Sequence, residues 1–265
     1  MRKAVEFDPA KQVLKIENFI KDYFVNNGTP DTKAVIGISG GKDSTIAAAL
    51  LVRALGSERV IGVLMPNGRQ NDIEDSYNIC NILGIQYYTI NIGDTYKILT
   101  EDFINCTELP LTPAIETNTP ARLRMVCLYM VAAAVGGRVC NTGNASEAFI
   151  GYTTKYGDLA GDFALLKNLT VREIYAIGDY LELPMNLVHK HPADGMSGKT
   201  DEDNTGIPYD AIDDYLLNGV YPEQKIYEKM ITAHNRNLHK QVINLDAPRR
   251  INGSLQTYCE DEFYF

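Results

Sequence analysis

No Cys-x-x-Cys pair occurs among the five cysteines of this 265-residue chain, and their number is odd. Cys80, Cys106, Cys127, Cys140 and Cys259 are scattered, which argues against structural zinc and a disulfide framework and predicts a reducing, cytoplasmic setting. Cys80, Cys127 and Cys140 stand in apolar runs and are expected to be small core residues. Positive charge is also scarce. With 25 Lys and Arg against 34 Asp and Glu, the net charge is −9, so the chain is no general polyanion binder and no nucleic-acid partner is expected. Long apolar runs are missing too. The start, Met1 to Phe7, turns polar too soon for a signal peptide, and Met125 to Gly137 is too short to span a bilayer, so no membrane association is expected. Two phosphate motifs are absent: neither Gly-x-x-x-x-Gly-Lys-Ser/Thr nor Gly-x-Gly-x-x-Gly occurs.

What is present is a different glycine turn. Ser39-Gly40-Gly41-Lys42-Asp43-Ser44 follows the apolar run Ala34 to Ile38 and precedes Thr45 to Leu51, which reads as strand, turn and helix start. A helix N-terminus presents unpaired N–H groups and partial positive charge, so an anion, usually phosphate, belongs there. Glycine lets the backbone turn sharply and approach a ligand closely. A plain βα turn capped by Ser39 or Ser44 is the bland alternative.

Helical periodicity runs from residue 9 to about 26 through Val13, Leu14, Ile16, Phe19, Ile20 and Phe24. Strands are expected near 33–38, 59–66, 86–92 and 138–143. Helices are expected up to Leu55, over 71–83 and 94–105, from the Thr119-Pro120 start, and over 171–181, 209–217 and 222–234. That alternation predicts an α/β fold, a doubly wound, Rossmann-like parallel sheet flanked by helices, as a single domain over 1–265. Ligands of such sheets sit at the carboxyl ends of the strands, so 39–44, 66–72 and 142–147 should share one mouth. Residues 190–206 read as a mobile loop and 245–265 as an irregular tail.

The loop resembles the pyrophosphate loop of the N-type ATP pyrophosphatases, which split ATP to AMP and pyrophosphate while activating a carboxylate or carbonyl. Further stretches resemble one branch, the ammonia-dependent NAD synthetases: Asn118 to Met125, Asn141 to Ala148, Gly151 to Asp158, Asp194 to Asp203 and His239 to Val242. The resemblance runs in order from about residue 10 to 243. It implies an adenine nucleotide alpha hydrolase-like fold and a homodimeric ligase. Such a ligase activates nicotinic acid adenine dinucleotide with ATP through an acyl-adenylate, and ammonia displaces AMP to give NAD. There is no room here for a glutaminase domain, which points to free ammonia or a separate donor.

Carried over position by position, the resemblance implies that Asp43 and Glu147 bind Mg²⁺; their bland readings are a helix first-turn acid and a solvated loop carboxylate. Ser39, Gly40, Gly41, Lys42 and Ser44 would form the ATP loop; Lys42 stands at a variable position, is not expected to be catalytic, and reads equally well as a solvated lysine. Thr142 would contact ATP, or cap a strand end. Lys155 and Asp158 would hold the pyridine dinucleotide; on chemistry rather than resemblance, an aspartate there could also take a proton from ammonium, and without the resemblance the two read as a surface ion pair. Asn118, Arg122, His239 and Lys240 complete the substrate set. Arg122 shares a helical stripe with Met125, Val126, Tyr129 and Ala133, so it is expected to face the core and need an anionic partner. Residues 194–206 resemble the family's lid. Two departures stand out: Val171 replaces an ATP-contacting lysine, so either Arg172 or another group covers that charge or the contact is lost, and Ala193 replaces a hydroxyl. Rival readings are another N-type ATP pyrophosphatase amidating a different carboxylate, and a non-catalytic adenine-nucleotide sensor.

Overall fold

The computed structural model describes residues 7–70, 72–190 and 200–241, together with the backbone of 249–251 and 254–256. Helix α1 (Pro9–Asn27) opens on Asp8, whose carboxylate accepts from Lys11 N at 3.0 Å, with proline in the first turn. Its buried side is Val13, Ile16, Glu17, Ile20 and Phe24; Leu14 and Phe19, expected on the same stripe, face solvent. Then come β1 (Ala34–Gly37), α2 (Lys42–Leu55), β2 (Val60–Leu64), α3 (Ile73–Leu83), β3 (Gln86–Thr89) and α4 (Gly93–Thr107). They are followed by α5 (Pro113–Val135), β4 (Arg138–Asn141), α6 (Ala145–Ile150), β5 (Phe163–Ala164), α7 (Val171–Tyr180) and α8 (Met185–Val188). The last elements are α9 (Asp201–Thr205), α10 (Tyr209–Asn218), α11 (Gln224–Asn237) and the strands β6 (Arg249–Ile251) and β7 (Ser254–Gln256).

Strands β1 to β5 form one parallel sheet in the order β3-β2-β1-β4-β5. Ile36 of β1 pairs with Gly62 of β2 on one side and Cys140 of β4 on the other. The winding reverses between β1 and β4, so their carboxyl ends open the crevice where such sheets bind ligands. Both sheet faces are covered, which is why β1 and β2 are near-continuous apolar runs. On one face α1, α2 and α7 bury Ile20, Phe24, Ile46, Leu50, Ile174 and Ile177. On the other, α5 lays Met125, Leu128, Val131 and Ala132 against Val35, Val63 and Val139. The doubly wound expectation is met.

Four local expectations are corrected. Helix α5 begins at Pro113, with the Thr112 hydroxyl accepting from Ile115 N, and Pro120 is buried inside the helix rather than opening it. β5 was not expected; it is two residues long and exists only through pairing with Cys140 and Asn141. Of 190–206, residues 191–199 lie outside the described residues, but Lys190 is fixed to Asp72 and Asp75 (2.6 and 2.7 Å) and α9 is a capped helix, with Thr200 and Asp203 capping each other. In the tail, β6 and β7 pair antiparallel where irregular chain was expected. Cys80, Cys127 and Cys140 are buried as expected and Cys106 is exposed; Cys259 lies outside the described residues. No helix of the described residues is long and apolar enough to cross a membrane.

Candidate active site

The chain leaves β1 into the glycine loop and enters α2 with Gly41 as N-cap and no side-chain cap, so neither Ser39 nor Ser44 serves as one. Their hydroxyls instead meet each other at 3.1 Å; Ser44 Oγ lies 3.1 Å from Gly41 O, and Gly41 N donates to Ser39 Oγ. The loop thus gathers two hydroxyls beside the unpaired N–H groups of a helix start. Gly40 has φ +77°, and a Cβ there would stand 2.9 Å from Asp75 Cβ and 3.2 Å from Ser76 N. Both its backbone and its surroundings require glycine.

Asp43 and Glu147 come from different strand ends and are joined through Asn144. The fully buried Asn144 donates its amide to Asp43 Oδ1 at 3.3 Å. Its Oδ1 accepts from Glu147 N at 2.9 Å, and its own N donates to Glu147 Oε2 at 3.4 Å, a reciprocal cap at the start of α6. Burial, and then the charge of Asp43, raises the Glu147 pKa against the opposing pull of Lys42. Lys42 is not solvated: it is 3% exposed and its Nζ donates to Asp43 Oδ2 at 2.7 Å. Burial would lower its pKa, but Asp43 and Glu147 outweigh burial and the net shift is upward. Two hard carboxylates so placed fit a Mg²⁺-like cation that draws its other oxygens from phosphate and water. Among the described residues no three His, Cys, Asp or Glu gather to hold a metal by themselves.

Thr142 is half-buried at the end of β4, and the residue before it carries the local order. Asn141 accepts from Gly143 N at 2.9 Å and donates to Asp158 O and Ala160 O at 2.7 and 3.0 Å. The sequence reading did not assign Asn141 this role.

α6 is under two turns long, about 9 Å, and is capped by Gly151, where the second half of the site assembles. Thr154 Oγ1 lies 2.8 Å from Asn118 Oδ1, Arg122 Nε donates to Lys155 O, and Lys155 Nζ donates to His239 O at 2.8 Å. Lys240 Nζ donates to Gly151 O and Thr153 O at 2.7 and 2.8 Å. Lys155 and Asp158 do not pair: the Asp158 carboxylate accepts from Thr154 N at 2.9 Å, and loss of solvation raises its pKa although the residue keeps solvent access. A cavity of about 820 Å³ opens here, lined by Asn118, His239 and Lys240, with Lys225, Lys229 and Arg236 of α11 adding positive charge. That α11 row was overlooked, though its four- and seven-residue spacing puts it on one helix face.

Arg122 is exposed; its neighbour Arg124 is the inward one. Arg124 Nε donates to Met65 O at 3.0 Å, at the end of β2; burial lowers its pKa and Asp158 opposes. Arg172 does not stand in at position 171, because it is tied to Asp214 and Asp210 at 2.8 and 3.3 Å.

With this geometry in view, likeness to known proteins is decisive. The NAD synthase family model matches residues 12–249. The chain belongs to the NAD synthase family. An NH(3)-dependent NAD(+) synthetase of Thermococcus kodakarensis is 41% identical over 202 residues, 74% of this chain and 77% of that one. The solved NMN synthetase of Francisella tularensis superposes with TM-score 0.82 at 36% identity, covering 91% of this chain and 99% of the other. The NH3-dependent NAD synthetase of Campylobacter jejuni, in complex with nitrate, gives TM-score 0.72 at 30% identity, covering 93% and 100%. In this NAD synthase family member every candidate site residue, from Ser39 to Lys240, falls inside the matched span.

Proposed function

We propose that this chain is an ammonia-dependent NAD synthetase. In this reading the nicotinate carboxylate of nicotinic acid adenine dinucleotide attacks the α-phosphorus of ATP, pyrophosphate leaves, and ammonia displaces AMP from the acyl-adenylate to give NAD. The observation that carries it is the joined mouth: the anion-binding loop after β1 and Glu147 after β4 meet through Asn144, one short helix from a large cationic cavity. The reaction calls for positioning and electrostatics rather than an enzyme nucleophile.

Asp43 and Glu147 would hold Mg²⁺, which when bound offsets charge on the leaving pyrophosphate. Ser39, Ser44 and the N–H groups of the loop would face the pyrophosphate oxygens; hydrogen bonds to charged groups contribute about 1.5–3 kcal/mol each. Thr142 would touch ATP. Asn118, Arg122, Lys155, His239 and Lys240 would seat the pyridine nucleotide, and the raised pKa of Asp158 suits a base that takes a proton from ammonium. A homodimer is part of the reading, supported by an open apolar face on α5, where Val126, Tyr129 and Met130 are 55, 40 and 64% exposed. A cytoplasmic setting fits the scattered cysteines.

One observation favours a second substrate: the structure that superposes at TM-score 0.82 is named for a mononucleotide product. The test is therefore to offer ATP, Mg²⁺ and ammonium with either nicotinic acid adenine dinucleotide or nicotinic acid mononucleotide, following amide product and AMP. NAD with equal AMP, lost in Asp43→Ala, is expected. Product from the mononucleotide alone would move the assignment to NMN formation, AMP without either amide to another carboxylate, and ATP binding without turnover to a sensor.

A further inference from the structure

Lys42 is the first residue of α2, where a lysine ordinarily reaches water, yet it is buried. Its ammonium has one acceptor among the described residues, Asp43 Oδ2. It also lies 6.0 Å from the centre of the Tyr209 ring. Tyr209, with Val171 and Tyr175, walls a cavity of about 230 Å³. Arg172, the cation that lines that cavity, is engaged by Asp210 and Asp214. Lys42 does not line it but lies near one wall, the Tyr209 ring, and is not committed to a surface pair. A buried ammonium needs a carboxylate, and the carboxylate it uses is half of the pair that fits a divalent cation. A metal ion and an ammonium repel each other across a shared carboxylate oxygen, so they compete for Asp43.

We propose that Lys42 is the resident cation of the metal-free site, a positioning residue that holds Asp43 until a divalent cation takes its place and is then released toward the phosphates of the incoming nucleotide. The nucleotide half of this statement rests on the function proposed above; the competition with metal does not.

The test titrates Mn²⁺ into the nucleotide-free wild type, Lys42→Met and Lys42→Gln, reading free Mn²⁺ by electron paramagnetic resonance, and then measures ATP binding with Mg²⁺ by calorimetry. Both variants are expected to bind Mn²⁺ at least fivefold tighter than wild type and ATP at least tenfold more weakly. A lysine that merely supported the fold would weaken both. Should neither variant fold, the wild type decides: acetylation of Lys42, read by peptide mass spectrometry, should rise at least fivefold on saturation with Mn²⁺ and fall again with ATP. Mn²⁺ affinity within twofold of wild type, weaker affinity in the variants, absence of Mn²⁺ binding, or labelling indifferent to the metal would overturn the proposal. None of these readouts needs turnover, so failure to form NAD would refute the proposed reaction while leaving this result readable.

Discussion

Burial and then the charge of Asp43 raise the energy of the ionised Glu147, and Lys42 only partly relieves it. The consequence runs opposite to that of an ordinary ion-paired carboxylate. Because the folded-state pKa of Glu147 lies above its ordinary 4.5, the metal-free fold holds the extra proton and loses stability as pH rises from there through the raised value. Metal binding needs the ionised form, so affinity should keep rising with pH where a free carboxylate is already fully ionised. Melting curves from pH 5 to 8 should fall in EDTA and flatten with Mg²⁺ and ATP; a metal-free curve rising over that range would contradict this. On the substrate side, Asp158→Asn should lose about 10²-fold or more in rate at saturating ammonium if it takes the proton; a loss below tenfold would remove it from that role. Residue identity within a motif was readable from sequence, but side-chain direction was not. Of the expected stripe through Arg122, Met125, Val126, Tyr129 and Ala133, only Met125 meets the sheet, beside Leu128 and Ala132; the rest face outward and Arg124 turns inward instead. Nothing in the periodicity of a helix apolar on two sides says which side meets the sheet.

At the scale of elements, the site depends on α6 and α7 starting side by side, and Asp213 fastens them. This buried carboxylate on α10 accepts from the Ser146 hydroxyl and, at 2.8 Å, from Arg172 N in the first turn of α7; Ser146 Oγ in turn accepts from Val171 N at 3.1 Å. Asp213→Ala strands the buried Ser146 hydroxyl and the part-buried Arg172 N, so it should cost about 1–3 kcal/mol in denaturant unfolding. A cost within 0.5 kcal/mol, the usual range for a surface site, would show that α10 does not hold these two helices. Elements with strong local signals were legible: a glycine-stopped helix such as α3 or a buried strand such as β2 is written in its own residues. Those that failed depend on partners far away. Phe163–Ala164 is a strand because β4 lies beside it, and Thr112-Pro113 and Thr119-Pro120 carry the same start signal, of which packing accepts the first and buries the second proline inside α5. Asn144 belongs with them. Its side chain caps its own helix, a local event, while its reach to Asp43 spans 101 residues.

For the whole molecule, the open question in the physics is what covers α4 and the outer face of α5. Thr100 is the one buried residue of α4, while Ile98, Leu99 and Ile104 are 59, 47 and 44% exposed. Beside it, Val126, Tyr129 and Met130 repeat at helical spacing on the side of α5 turned from the sheet. A helix apolar on both sides is normally covered on both sides, and a second copy of the chain supplies a self-complementary cover by twofold symmetry. Arg122 lies on that face and bonds to Lys155 O, so the cover would also approach the substrate half of the site. The double substitution Val126→Asp with Met130→Asp leaves the sheet-facing residues of α5 untouched. It should convert a dimer to a folded monomer at micromolar concentration, measured by light scattering with circular dichroism unchanged. If the site is shared between copies, affinity for the pyridine nucleotide should fall in the monomer while ATP binding persists, because the glycine loop and Asp43 sit at the switch point, built from β1 and β4 of one chain. A wild type that is monomeric at that concentration would refute the dimer outright, and a variant that stays dimeric would place the interface elsewhere.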